Sequence, residues 1–173
     1  MGGILHGYRQ HHWKGIHRAI GGPPGKDLEV VDVQDRPYRW NLRRLNRGMT
    51  LDIGCGIRRC LKNLPLGSVG IDHNEHSVQV IRKLGLERFS PEEFLRSSHC
   101  KLGSFDTLLL RHLLEHMAPH PALELIEKYL LYVRSGGQVI IVCPQEKGFS
   151  TDATHVHFFD TAALASTLTA ACW

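Results

Sequence analysis

Leu51-Asp-Ile-Gly-Cys-Gly56 is a short apolar run that ends on an acid and two spaced glycines. Preceded by Met49-Thr50, it reads as a strand over Met49–Ile53 that opens into a loop. Glycine supplies room and φ > 0 there, so a ligand can reach bare backbone at a strand end. Twenty residues beyond Asp52, Val69-Gly-Ile-Asp-His-Asn74 ends a second strand on Asp72. An acid at that place can accept both hydroxyls of a ribose. Together the two acids point to an adenosine-type ligand.

Working outward, short apolar runs alternate with amphipathic stretches, which argues for an α/β fold with a mainly parallel sheet and helices on both faces. Strands are predicted over Met49–Ile53, Ser68–Ile71, Glu87–Phe89, Thr107–Leu110 and Gln138–Val142. Helices are predicted over Arg59–Leu64, Glu75–Leu84, Pro91–Arg96, Leu113–Met117 extended by Pro121–Val133, and Thr161–Ala171. Gly136-Gly137 is expected to end the long crossover helix. Upstream, the Gly21-Gly-Pro-Pro-Gly25 breakers and Pro37 predict a loosely structured lead-in over residues 1–37 with a short helix at most. A helix over Tyr38–Asn46 then opens the main domain, residues 38–173.

The 173 residues suit one domain, with an apolar share of 42% and a charged share of 22%, as in a globular protein with a packed core. No stretch approaches the roughly 20 apolar residues of a membrane span. The first residues lack a secretory pattern, so a cytoplasmic address is expected. Five scattered cysteines fit neither a disulfide framework nor a zinc knuckle and read as reduced thiols. Residues 1–48 carry nine Lys/Arg against four Asp/Glu. Basic and aromatic residues do not interleave there as on a stacking platform, so nucleic acid is not an expected partner.

The choice of ligand turns on details of the loop. A dinucleotide fingerprint would need glycine at position 59, which is Arg59, and the Asp52 carboxylate would repel a pyrophosphate. The same carboxylate suits a ligand with a cationic amino group and a sulfonium, which favours S-adenosylmethionine. Residues 40–165 resemble the class I S-adenosylmethionine-dependent methyltransferases (methyltransferase type 11/23-like) through four pieces in order. These are Leu51-Asp-Ile-Gly-Cys-Gly56, Gly70-Ile-Asp-His-Asn74, Phe105-Asp-Thr-Leu-Leu-Leu-Arg-His-Leu-Leu-Glu-His-Met117 and Val133-Arg-Ser-Gly-Gly-Gln-Val-Ile-Ile141.

That resemblance implies a Rossmann-like doubly wound sheet of order 3-2-1-4-5 and transfer of a methyl group to a small-molecule or biosynthetic acceptor. It implies Asp52, Gly54, Cys55 and Gly56 around the methionyl part of S-adenosylmethionine, and Asp72 with His73 at the ribose. Ser90 would lie near the adenine, with Arg111 and His112 closing over the cofactor. The chain departs from the family in two places. Arg58 stands where a third glycine is usual, and the usual C-terminal strand pair is missing, leaving an expected uncovered sheet edge that would favour a homodimer. These departures motivate an alternative, a non-catalytic cofactor-binding or interaction module.

His112-Leu-Leu-Glu-His116 also matches a zinc-hydrolase motif, with Glu115 as base and His120, His155 or His157 as a third ligand. Pro119 and Pro121 interrupt the helix that would carry it, and the methyltransferase resemblance accounts for the same residues, so no metal is expected. The polar stretch from Glu146 through Asp152 to Asp160 lies at the edge where substrates bind in open α/β sheets. His155, His157 and Glu146 are the candidate bases there, although Asp152 and Thr154 could simply form a turn.

Overall fold

The computed structural model describes residues 16–19, 27–31, 45, 48–56, 64–82 and 85–165. Seven strands form one sheet: β1 (Ile16–Ala19), β2 (Asp27–Val31), β3 (Thr50–Ile53), β4 (Val69–Ile71), β5 (Arg88–Phe89), β6 (Phe105–Arg111) and β7 (Val133–Val142). Between them lie helices α1 (Glu75–Arg82), α2 (Pro91–Arg96) and α3 (Pro119–Leu130), and α4 (Glu146–Phe149) follows β7. The sheet order is β1-β2-β7-β6-β3-β4-β5. Its segment from β5 to β7 is parallel throughout and is the expected 3-2-1-4-5 order.

β3 lies at the centre, paired with β4 through Asp52↔Gly70 and with β6 through Asp52↔Leu109. All four of its residues are buried, as expected of a parallel strand covered on both faces. One face packs Leu51, Ile53, Leu108, Leu110, Val139 and Ile141 against Phe94 of α2 and Ala122, Ile126 and Tyr129 of α3. On the other face Leu109, Ile140 and Val142 meet Leu45 and Leu64. The two-residue side-chain period thus supplies both layers from the same strands.

Three expectations are corrected. The lead-in was expected to be loosely structured, but β2 pairs parallel with β7, from Asp27↔Gln138 to Val30↔Ile141, and β1 pairs antiparallel with β2. The β-branched Val30-Val31 pair suits a strand. The edge of β7 is therefore occupied by β2, which removes the argument for a homodimer through that edge. Gly136-Gly137 does not terminate a helix. α3 stops at Leu130, and Gly136, at φ 73°, lies inside β7 where its register against β6 shifts between Phe105↔Val133 and Thr107↔Gln138. A Cβ on Gly137 would press into Val133 and the Asp106 carbonyl, so glycine is what lets the strand bulge there.

The predicted α2 and most of α1 form as expected. Residues 59–63 of the predicted Arg59–Leu64 helix, Arg58, most of the Tyr38–Asn46 helix and the end of the last helix lie outside the described residues. Among those described, no helix is long and apolar enough to cross a membrane.

Candidate functional site

At the end of β3 the chain turns through Gly54 at φ 69° and Gly56 at φ 53°. The Gly54 N–H donates to the Ile71 carbonyl at 2.9 Å, carrying the link to β4 past the last strand residue. A Cβ on Gly54 would come within 3.0 Å of Leu113, whereas one on Gly56 would meet open space. Gly54 is thus packed against Leu113, while Gly56 is exposed.

Asp72 holds this loop. Its Oδ2 accepts from the Gly56 N–H at 2.8 Å and its Oδ1 from the Asn74 N–H at 2.9 Å. Arg88 of β5, 0% exposed, places Nη2 2.7 Å from the same Oδ2. That contact is ionic rather than a well-aimed hydrogen bond, since neither Nη2 nor Nε finds an acceptor. Nη1 donates to the Gly56 carbonyl at 2.6 Å and the Ser77 carbonyl at 3.3 Å, so one buried guanidinium ties loop, acid and α1 together. Sequence reasoning missed Arg88. Its signal was an arginine inside a predicted buried strand, which must find a carboxylate.

Asp52 is 0% exposed. Its Oδ2 lies 3.2 Å from Arg111 Nη2, which also reaches toward the Cys55 carbonyl at 3.5 Å. Oδ1 is buried without a hydrogen-bond partner. Burial pushes the Asp52 carboxyl above its ordinary value, opposed by the Arg111 guanidinium. Burial likewise pushes the Cys55 thiol up, and its Sγ lies 3.5 Å from the Ile71 carbonyl, so it behaves as a packed thiol and not as a nucleophile.

Other expected cofactor residues are placed differently. The Ser90 hydroxyl accepts from the Glu93 N–H at 3.2 Å and forms a capping box on α2. The His73 side chain is 89% exposed, with Nδ1 3.8 Å from Asp72 Oδ1. His112, at φ 46°, sets Nδ1 3.2 Å from Glu115 Oε1.

The segment after His112 is a single 3-10 turn, Leu114–His116, and not an α-helix. The zinc-hydrolase geometry, which needs both imidazoles on one α-helical face, is therefore not formed. Instead the turn is stitched to the loop after β7: the Glu115 carbonyl accepts from the N–H groups of Val156 (2.7 Å) and His157 (3.2 Å). On that loop His155 stacks on Phe149 at 5.2 Å between ring centres, and its Nδ1 lies 2.8 Å from the Phe149 carbonyl. His157 sets its ring edgewise on Phe159 at 4.7 Å. Glu146 is exposed in the first turn of α4. Asp152 Oδ1 accepts from the Thr154 hydroxyl at 2.7 Å and its N–H at 2.9 Å, forming a turn, and these bonds hold the carboxyl below its ordinary range.

The structure thus brings Asp52, Gly54, Cys55, Gly56, Asp72 and Arg111 to one loop at the carboxyl edge of the sheet. His155 and His157 stand on the following wall.

No known family profile and no curated protein matches the sequence. Solved structures do. A SAM-dependent methyltransferase from Archaeoglobus fulgidus is similar with TM-score 0.61 at 22% identity, over 78% of this chain and 66% of that one. The YcgJ protein of Bacillus subtilis is similar with TM-score 0.52 at 15% identity, over 77% and 66%. A possible exported protein of Bordetella parapertussis gives TM-score 0.50 at 16% identity, over 78% and 58%. The chain spans about two thirds or less of the length of these proteins. Strand order, central glycine loop and these likenesses agree that the chain has the class I fold of the S-adenosylmethionine-dependent methyltransferases.

Proposed function

We propose that this chain binds S-adenosylmethionine at the Asp52–Gly56 loop and transfers its methyl group to a small-molecule or biosynthetic acceptor. The observation that carries the reading is Asp52 Oδ1, a buried carboxylate oxygen without a partner beside a loop whose Gly56 faces open space. An orphaned acceptor on an ionisable group fits a cationic donor such as an amino group. Asp52, Gly54, Gly56 and Arg111 would hold the methionyl end, and Asp72, through the remaining lone pair of Oδ1, the ribose. When bound, the cofactor supplies an electrophilic methyl on a sulfonium.

The protein's own task is then alignment: the rigid β3 and β4 ends fix the loop, and the 146–160 wall positions the acceptor and excludes water. His157 of that wall, or Glu146, can receive the acceptor's proton, and an acceptor already deprotonated needs no base. Calorimetric titration with S-adenosylhomocysteine tests the reading. Saturable binding that weakens in Asp52→Asn is expected, and no measurable affinity for either form of the cofactor sinks it.

A second reading, a non-catalytic interaction module, is favoured by one feature: Arg111 and Arg88 already face both acids from within the chain. Intact cofactor binding without turnover across a broad acceptor screen, with a partner that co-purifies, would select it.

A further inference from the structure

Outside the glycine loop, Glu115, His116 and His155 each offer one ligand atom, and these atoms lie within 4.8 Å of one another. We propose that the three residues form a binding site for a divalent first-row transition-metal ion such as zinc, with Glu115 as a ligand and not a base. The site differs from the sequence motif considered above, because it uses the loop histidine His155 in place of His112.

The hydrogen bonds prepare both imidazoles for this role. His116 Nδ1 lies 3.2 Å from the Thr154 carbonyl, and His155 Nδ1 lies 2.8 Å from the Phe149 carbonyl. The Thr154 hydroxyl, also 3.2 Å from His116 Nδ1, gives its own hydrogen to Asp152 Oδ1 at 2.7 Å, so every oxygen at these two nitrogens accepts; in the neutral rings each Nδ1 carries the proton and each Nε2, which at His155 lies 3.9 Å from Asp152 Oδ2, keeps its lone pair. This is the arrangement by which metal-binding histidines are oriented and made more basic. The two rings stand 5.0 Å apart between centres.

Glu115 supplies the anionic ligand. Its side chain is 1% exposed, its Oε1 faces His112 Nδ1 at 3.2 Å, and its Oε2 is buried without a partner. A carboxylate in that position is costly unless a cation joins it. Ligand atoms on a tetrahedral zinc sit about 3.3 Å apart, so the present set, spread over no more than 4.8 Å, draws in to close around an ion. Two imidazoles and a carboxylate suit a borderline metal better than magnesium or calcium, and three protein ligands leave a coordination position open. The three ligands lie where the turn after β6 meets the loop after β7, beside the carboxyl edge of the sheet, so an acceptor oxygen could complete the coordination.

Metal binding here does not depend on methyl transfer, and its test is separate. Untagged protein, stripped with chelator, is titrated with zinc and with cobalt(II). One ion per chain is expected, with weak visible cobalt bands and no near-ultraviolet thiolate transition, as nitrogen and oxygen ligation requires. His116→Ala and His155→Ala should each weaken binding about 100-fold or more, beyond the 10–100-fold typical of lost outer-shell partners. Glu115→Gln should weaken it in the same direction. His76→Ala, on the exposed face of α1, and a combined His6, His11, His12→Ala variant should change nothing. The proposal is overturned by a thiolate transition, by no saturable binding, by undiminished binding in both His116→Ala and His155→Ala, or by loss of binding in the combined variant. If one histidine variant fails to fold, the other and the wild-type cobalt spectrum decide.

Discussion

The loop carries two acid–arginine pairs that look alike on paper and differ in what surrounds them. Asp72 and Arg88 are locked into backbone at both ends: the acid takes the N–H groups of Gly56 and Asn74, and the arginine gives to the carbonyls of Gly56 and Ser77. Asp52 and Arg111 share one contact, Arg111 reaches partly to solvent, and Asp52 Oδ1 is left over. The first pair is a clamp that shapes the loop. The second is the one with capacity to spare for a ligand.

The largest expected effect breaks the clamp. Arg88→Met leaves a buried Asp72 and two carbonyls without their cation, and should cost about 3–5 kcal/mol in urea unfolding. Arg111→Met should cost clearly less, because solvent reaches that side chain and Asp52 can take up a proton. Equal losses in the two variants would show that both pairs are structural.

Next comes cofactor affinity. Asp52→Asn should weaken S-adenosylhomocysteine binding by about 1–3 kcal/mol, the value of a charge-assisted hydrogen bond, with no loss of stability. Asp72→Ala should weaken binding by a similar amount but also lower the unfolding midpoint, since Arg88 loses its counter-charge. Unchanged affinity in Asp52→Asn would move the ligand's cationic end elsewhere.

Much of this division was legible in the sequence. The 51–56 run, Asp72 and the five parallel strands follow from local patterns, glycine at a strand end and acids at fixed spacing, which survive folding because each is set within a few residues. What was not legible depends on distant partners. Arg88 meets Gly56 across 32 positions, and β2 finds β7 across more than a hundred. The helix predicted over Leu113–Met117, the segment that carries His112-Leu-Leu-Glu-His116, does not form for a related reason. The motif presumes α-helical spacing, and the chain takes one 3-10 turn because the loop around Val156 and His157 claims the Glu115 carbonyl.

A smaller effect separates the two glycines of the loop. Both sit at positive φ, so alanine at either should cost about 1–2 kcal/mol in backbone strain. At Gly54 the methyl also crowds Leu113 and adds to that cost, while at Gly56 it enters open space. Urea unfolding should therefore rank Gly54→Ala below Gly56→Ala in stability, with the larger penalty on ligand binding at Gly56. The reverse ranking in binding would place the ligand away from the loop tip.

The smallest effect is a slope with pH. Burial raises the Asp52 carboxyl above 3.8 in the folded chain, against the pull of Arg111 and Arg88 and with added repulsion from Asp72. Between 3.8 and that higher folded value the native state binds more protons than the unfolded one, so the Asp52 contribution to stability falls as pH rises. Asp152 and Glu93 have the opposite sign, being held below their ordinary values by Thr154 and by Arg82, and they lose stability as pH falls. Subtracting Asp52→Asn from wild type cancels these other carboxylates. The wild-type stability relative to the variant, from urea unfolding at a series of pH values, should decline as pH rises above 3.8. A relative stability that instead grows with pH would mean that Arg111 outweighs burial, which would make the Asp52–Arg111 pair a second clamp and erase the distinction between the two.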